Sequence, residues 1–221
     1  MVIRRNSFFL AYFLAAMLLI GYSHYGNPTK ISGFERNLIA PPPALKFLHF
    51  GFNEVIADML WIRALQDFDY CESKIDENTC KGNSWLYHML DTSLTLSPHF
   101  YIEAHTGGVA LSVLLSDFVG ATKFFDLAVS AFPNDWRILY YAAYHAMRED
   151  KNNEKAAAYL IRAARNGGND WFFNLAVTLY TEAGQQEFGR RVYESLKDSD
   201  FEPGFLRRME KKLGITPPPE K

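Results

Sequence analysis

Apolar positions return along the chain at a fixed interval of 35 residues. Leu86, Leu90, Ser93 and Pro98 recur as Ala121, Phe125, Ala128 and Pro133, and again as Ala156, Leu160, Ala163 and Gly168. Within each set the steps are four, three and five. The first three positions therefore share one helical face, and a helix stop follows. A usually small residue, a large apolar one a turn later and a second small one describe a helix that packs closely against its neighbours. Repetition of that unit predicts stacked helix pairs, an all-α solenoid of about three to four pairs.

The rest of the pattern supplies the other elements. Leu48, Phe52, Val55, Ile56, Met59, Ile62, Leu65 and Phe68, with Trp61 beside them, predict a helix over Ala44 to Tyr70, and Gly51 marks a break inside it. Helices are further predicted over Ser84–Leu96, Phe100–Leu115, Asp117–Phe132, Trp136–Arg148, Asn153–Asn166, Trp171–Ala183, Gln185–Lys197 and Glu202–Leu213. Pro98 and Pro133 cannot continue a helix, while Gly167-Gly168 and Gly184 permit a left-handed terminal residue. Asp117, Asp135, Asn153 and Asp170 stand at N-cap positions.

Ahead of the periodic part, Arg4 and Arg5 precede an apolar run from Phe8 to Tyr22, and the next charge is Lys30. Paired arginines before such a run predict a cytoplasmic N-terminus with the remainder on the far side. The run reads as an uncleaved signal anchor spanning a membrane through residues 7–25. Leu19-Ile20-Gly21-Tyr22 resembles a lipobox but has Tyr where the lipidated Cys belongs. The chain divides into the anchor (1–25), a linker containing Pro and Gly (26–43), the helical domain (44–214) and a disordered tail (215–221).

Composition agrees with helices: the domain is rich in Ala, Leu, Glu, Lys and Arg, and β-branched runs are scarce. The net charge of −2 argues against general nucleic-acid binding. Charge is uneven, with 7 basic and 12 acidic residues from Asn27 to Phe132 against 14 and 13 from Pro133 onward. Solvated helix faces account for that difference. Two cysteines, Cys71 and Cys80, flank one polar loop and none occurs elsewhere. A local disulfide in an oxidising compartment follows, worth roughly 2–3 kcal/mol by restricting the unfolded chain. Two free thiols are the alternative.

In these residues the chain resembles the tetratricopeptide repeat family. Its second-helix pattern of small, aromatic, small and Pro is met in full by Ala121, Phe125, Ala128 and Pro133. The earlier unit substitutes Leu86, Leu90 and Ser93, and the later one has Leu160 and Gly168. A fourth unit is weaker, carried by Gly189, Tyr193 and Leu196. The stretch Phe50 to Ala64 also looks like the opening of uncharacterised bacterial membrane-anchored repeat proteins, which implies a bacterial inner membrane. With the far-side placement that Arg4 and Arg5 predict, the C-terminal domain is expected in the periplasm. The family resemblance implies an architecture that binds proteins, and the same fold serves many partners.

Chemistry is sparse. There is no glycine-rich phosphate loop, Gly-x-Ser-x-Gly or His-Glu-x-x-His, so no enzyme, cofactor, metal or small-molecule substrate is expected. His99/Glu103 and His145/Glu149, each four apart, read as hydrogen-bonded pairs within one helix rather than metal ligands. Asp67, Asp69, Glu72, Asp76 and Glu77 read as a solvated loop. The first helix of a tetratricopeptide unit usually lines a concave groove. There Arg137, Tyr140, Tyr144 and Arg148 would share a face, with His105 in register one unit earlier. The competing reading packs both tyrosines into the superhelix. The expected function is a membrane-anchored scaffold, an accessory or assembly subunit of a bacterial envelope complex. The alternative is a periplasmic chaperone-like binder near the translocon.

Overall fold

The computed structural model describes residues 13, 15–17, 38–67, 81–199 and 201–215, and from residue 38 onward these described residues form nine α-helices, a short 3-10 turn and one π-helical segment. The chain divides into two units, Met1–Leu38 and Ile39–Lys221. In the first, Phe13, Ala15, Ala16 and Met17 are helical. Among the described residues no helix is long and apolar enough to cross a membrane. The anchor expected over residues 7–25, the Cys71–Cys80 bridge, most of the acidic loop and the tail beyond Ile215 lie outside the described residues.

In the second unit, a 3-10 turn over Pro43–Lys46 precedes α1 (Asn53–Gln66). The array continues with α2 (Trp85–Leu96), α3 (Tyr101–Val109), α4 (Phe118–Ala131) and α5 (Trp136–Arg148). It closes with α6 (Asn153–Arg165), α7 (Trp171–Glu182), α8 (Gln186–Leu196) and α9 (Pro203–Leu213). No strand occurs among the described residues. Substantial contacts join only helices one or two places apart in this order. That is the contact pattern of a quasi-one-dimensional helical array, and it leaves a long surface beside a thin core.

The repeated positions form that core. Leu86, Leu90 and Ser93 of α2, Ala121, Phe125 and Ala128 of α4, and Ala156, Leu160 and Ala163 of α6 are all buried. Small residues let the helices approach. At Gly108 the approach is extreme, because a Cβ there would stand 2.6 Å from the Phe125 ring. A glycine inside α3 costs helix propensity, and the close packing of α3 on α4 offsets it.

Local signals set the boundaries. Phe50 (φ 49°) and Gly51 (φ 83°) take left-handed conformations, which separates α1 from the 3-10 turn where Gly51 predicts a break. Gly167 (φ 91°) and Gly184 (φ 73°) end α6 and α7 in the same way. Asp117 and Asp135 cap α4 and α5, accepting from Gly120 N and from Arg137 N and Ile138 N. Two caps differ from expectation. Asn152, not Asn153, caps α6 by accepting from Lys155 N. Asp170 is helical in backbone and makes no capping bond, and Asn169 Oδ1 accepts from Trp171 N instead.

One helix departs from regular geometry. Beyond Val109, α3 widens into a π-helical segment, Ala110–Leu115, that ends at Ser116 in the left-handed region (φ 62°). The wider turn carries Val113 and Leu114 to the surface while Leu111 and Leu115 stay buried. Such segments shift side chains out of helical register and are frequent at functional sites.

Candidate functional site

A half-open cleft of about 510 Å³ lies between α1 and α3. Leu86 and Leu90 of α2 line it beneath the surface, so the repeat register itself supplies part of the wall. Trp61, Ala64 and Leu65 come from α1, and Ile102, His105 and Thr106 come from α3. The π-helical segment adds Val113 and Leu114, and Tyr141 reaches in from α5. Exposed Leu65, Ile102, Val113 and Leu114 rim an almost wholly apolar depression. Among the described lining residues, polar side-chain groups come from Trp61, His105, Thr106 and Tyr141, and the Thr106 hydroxyl donates within its own helix to Ile102 O. The lining can desolvate apolar groups but has few donors with which to orient a polar ligand.

A line of rings runs from this cleft along the array. His105 stacks on Tyr101 (5.7 Å between centroids) and meets the edge of Tyr141 at 5.0 Å. Tyr141 is 5.8 Å from Tyr140, which stacks on Phe172 of α7 at 5.0 Å and an angle of 11°. Phe172 in turn meets Trp171 at 4.6 Å. Tyr140 and Tyr144 line a second, smaller depression of about 160 Å³ with Met147, Leu160, Trp171 and Leu175.

The residues singled out from the sequence therefore occupy different places. His105 belongs to the large cleft, and Tyr140 and Tyr144 belong to the small one. Tyr140 is half-buried by its stacking partner, whereas Tyr144 is 49% exposed. Arg137 is exposed and lies over the Trp136 ring at 4.9 Å, and Arg148 is exposed at the end of α5. Neither arginine is among the residues lining the two depressions. Tyr141 links the two places and escaped the sequence reading. A spacing of four picks out Tyr140 and Tyr144 on one face, but Tyr141 is one step around the helix and points to α3. Trp61, Ile102, Val113 and Leu114 also escaped, because their neighbours come from other units of the repeat.

Two buried polar groups lie under this surface. Glu103 of α3 is fully buried, and Ser93 Oγ stands 2.7 Å from one carboxyl oxygen and 3.1 Å from Ala57 O. The other carboxyl oxygen has no hydrogen-bond partner. Burial pushes this carboxyl up to about 8, against a smaller opposing effect of the Ser93 hydrogen bond. Ser93 Oγ–H thus has two acceptors within reach, Glu103 Oε2 and Ala57 O, and burial favours the neutral carboxyl at neutral pH. His145 of α5 is held between Thr122 Oγ1 and Ser112 Oγ, 3.0 Å from each, and burial lowers its pKa. Its neutral ring ties α5 to α4 and to the π-helical segment. The expected pairing of His99 with Glu103 and of His145 with Glu149 is replaced by these bonds between helices. The histidine and carboxylate turn inward, where other helices supply closer partners.

Among the described residues no group of three or more His, Cys, Asp or Glu side chains is placed to hold a metal ion. Comparison with known proteins finds no matching family model, no matching curated protein and no matching solved structure.

Proposed function

We propose that this chain is a binding protein of tetratricopeptide type, a membrane-anchored scaffold that holds a protein partner on its helical repeats. The observation that carries this reading is the 510 Å³ apolar cleft between α1 and α3. The buried repeat positions Leu86 and Leu90 form part of its wall and its rim is exposed Leu65, Ile102, Val113 and Leu114, so a partner gains by covering surface that water now touches. Convergent polar groups that would fix a small molecule or activate a substrate are scarce there. Aromatic and aliphatic walls suit the apolar anchors of a partner helix laid in a groove. The line of rings from His105 to Trp171 extends the same surface past α5 to α7. The apolar run at residues 8–22 supports the anchor, and with it the placement of the repeat domain outside a bacterial inner membrane as an accessory or assembly subunit.

The test is capture of partners from mild-detergent membranes by full-length protein, with cross-linking and quantitative mass spectrometry. Ile102→Glu with Val113→Glu charges the rim at two exposed positions. A stoichiometric membrane partner that is lost from this variant, with the melting temperature unchanged, is the expected result. A broad, substoichiometric set of exported proteins would replace the subunit reading with the chaperone-like one. Retention of every partner would sink the cleft as the binding site.

A further inference from the structure

The two ends of the array are finished differently. At the C-terminal end, α9 buries Phe205, Met209 and Leu213 and turns Arg207, Arg208, Lys211 and Lys212 to the surface. That is how a helical array closes in water, with a final helix whose outer face is polar. At the other end, α1 has no such face. Ala57 and Ala64 are buried, while Phe52, Val55, Met59 and Ile62, at steps of three, four and three, lie on the opposite side and are 54–66% exposed. Immediately before them Phe47 and Phe50 are more than 80% exposed, and Leu48 is exposed too. A helix that is apolar on two opposite sides has one side left to cover.

We infer that the outward side of α1, with Phe47, Leu48 and Phe50, docks on the lipid bilayer surface. The inference rests on the membrane-anchored reading. Position along the chain favours lipid as the occupant. Nine large exposed apolar side chains fall between Ile39 and Leu65, at the end of the array that directly follows the apolar N-terminal run. The run ends at Tyr22, and the sixteen residues from Ser23 to Leu38 reach at most about 60 Å when fully extended. Ile39 is then held to the array, since its carbonyl accepts from Trp85 Nε1 at 3.0 Å. The apolar side is thus tethered within reach of the bilayer in which the run would sit. Chemistry agrees. The side is exposed and made of Phe, Val, Met and Ile. Its charged neighbours, Glu54 and Asp58 on one edge and Arg63 on the other, sit where they can stay in water as the stripe enters the interface. With two acids against one base on α1, attraction to anionic lipid is not the driving force, and the contact is apolar.

Full-length protein reconstituted in phosphatidylcholine vesicles tests this. Resistance to alkaline carbonate extraction first reports whether the N-terminal run is inserted. Met59→Trp and Ile62→Trp then place reporters on the outward side of α1, and Arg208→Trp places one at the far end. Quenching by phosphatidylcholine brominated on its acyl chains is compared with the wild-type signal. The expected result is at least threefold more added quenching at positions 59 and 62 than at 208, unchanged in 0.5 M salt. Equal quenching at both ends, in protein that resists extraction, overturns the docking surface and leaves the anchor standing. Reporters at 59 and 62 shielded from brominated lipid and from aqueous iodide alike show a protein cover, such as a second copy, and also overturn it. Protein that is extracted by carbonate yet still quenched at 59 and 62 on vesicles keeps the docking surface and removes the anchor.

Discussion

Glu103 shows how a single buried acid can set the pH response of a helical array. Its carboxyl titrates near 8 in the fold and near 4.5 when unfolded. Below pH 4.5 both states are protonated and the fold carries no penalty. Between 4.5 and 8 the unfolded chain ionises while the native group does not, so stability falls as pH rises across that window. Glu103→Gln keeps the shape and an acceptor for Ser93 Oγ without the acid. The variant is expected to be roughly 2–3 kcal/mol more stable than the wild type at pH 7, the gap closing below pH 4.5. Urea denaturation at pH 4, 5.5, 7 and 8 checks this, and a gap independent of pH would show that Glu103 is not the titrating group. His145 works in the opposite sense. Its folded pKa is lowered, so the stability it confers is present above 6.5 and is lost as pH falls below it.

Asp117 is the other residue of consequence. Its carboxylate accepts from Gly82 N at 2.7 Å, Ser84 Oγ at 2.5 Å and Gly120 N at 3.0 Å. It therefore caps α4 and at the same time fastens the start of α2, where Ser84 is itself the cap. Removing it leaves buried donors without partners. Asp117→Ala is expected to cost about 2–4 kcal/mol, more than the roughly 1 kcal/mol of an ordinary cap, read from the shift in the urea midpoint. The cap was legible in the sequence from its place before α4. The second role was not, because Gly82 and Ser84 are a full repeat away in the chain.

Among the elements, the tightest fit is the crossing of α3 on α4. Gly108→Ala forces a methyl against the Phe125 ring and is expected to destabilise by about 1–3 kcal/mol by calorimetry. Phe125→Leu in the same chain should recover part of that loss, since it removes the ring. Helix extents were largely set by local signals: α5 spans the predicted Trp136–Arg148, α2 differs from expectation by one residue at its start, and α4 and α8 differ by one residue at each end. The single helix expected over Ala44 to Tyr70 is divided, because Phe50 and Gly51 together take left-handed backbone. Nothing in the sequence period distinguished the π-helical turn at Ala110–Leu115 from ordinary helix. The same apolar residues satisfy both, and packing on α4 and α5 decides between them.

Over the whole molecule, the residues proposed for partner binding are dispersed: His105 lines one depression, Tyr140 and Tyr144 line another, Arg137 and Arg148 line neither, and the two depressions draw on six helices and the π-helical segment. Leu86 and Leu90 were recognised as repeat positions and Tyr140 as a groove residue, but the cleft needed α1 and α3 to stand apart and Tyr141 to bridge from α5. Binding and docking should separate by mutation. Ile102→Glu with Val113→Glu should abolish partner capture and leave α1 quenching by brominated lipid intact. Met59→Glu should do the reverse, with little change in melting temperature for either because all three side chains are exposed.

The sequence by itself determined the repeat period, the helix order, the stops and the caps at Asp117 and Asp135. These depend on interactions within one or two turns, and a one-dimensional pattern records them fully. It also determined the contrast between an apolar α1 and a polar-faced α9. Tertiary structure alone decided where Glu103 and His145 turn, what Asp117 holds besides its own helix, and which side chains meet in the cleft. Those outcomes depend on the distance and rotation between helices, which arise from how buried volumes fit once several units stack. Neither the period nor the composition of any single unit encodes that fit.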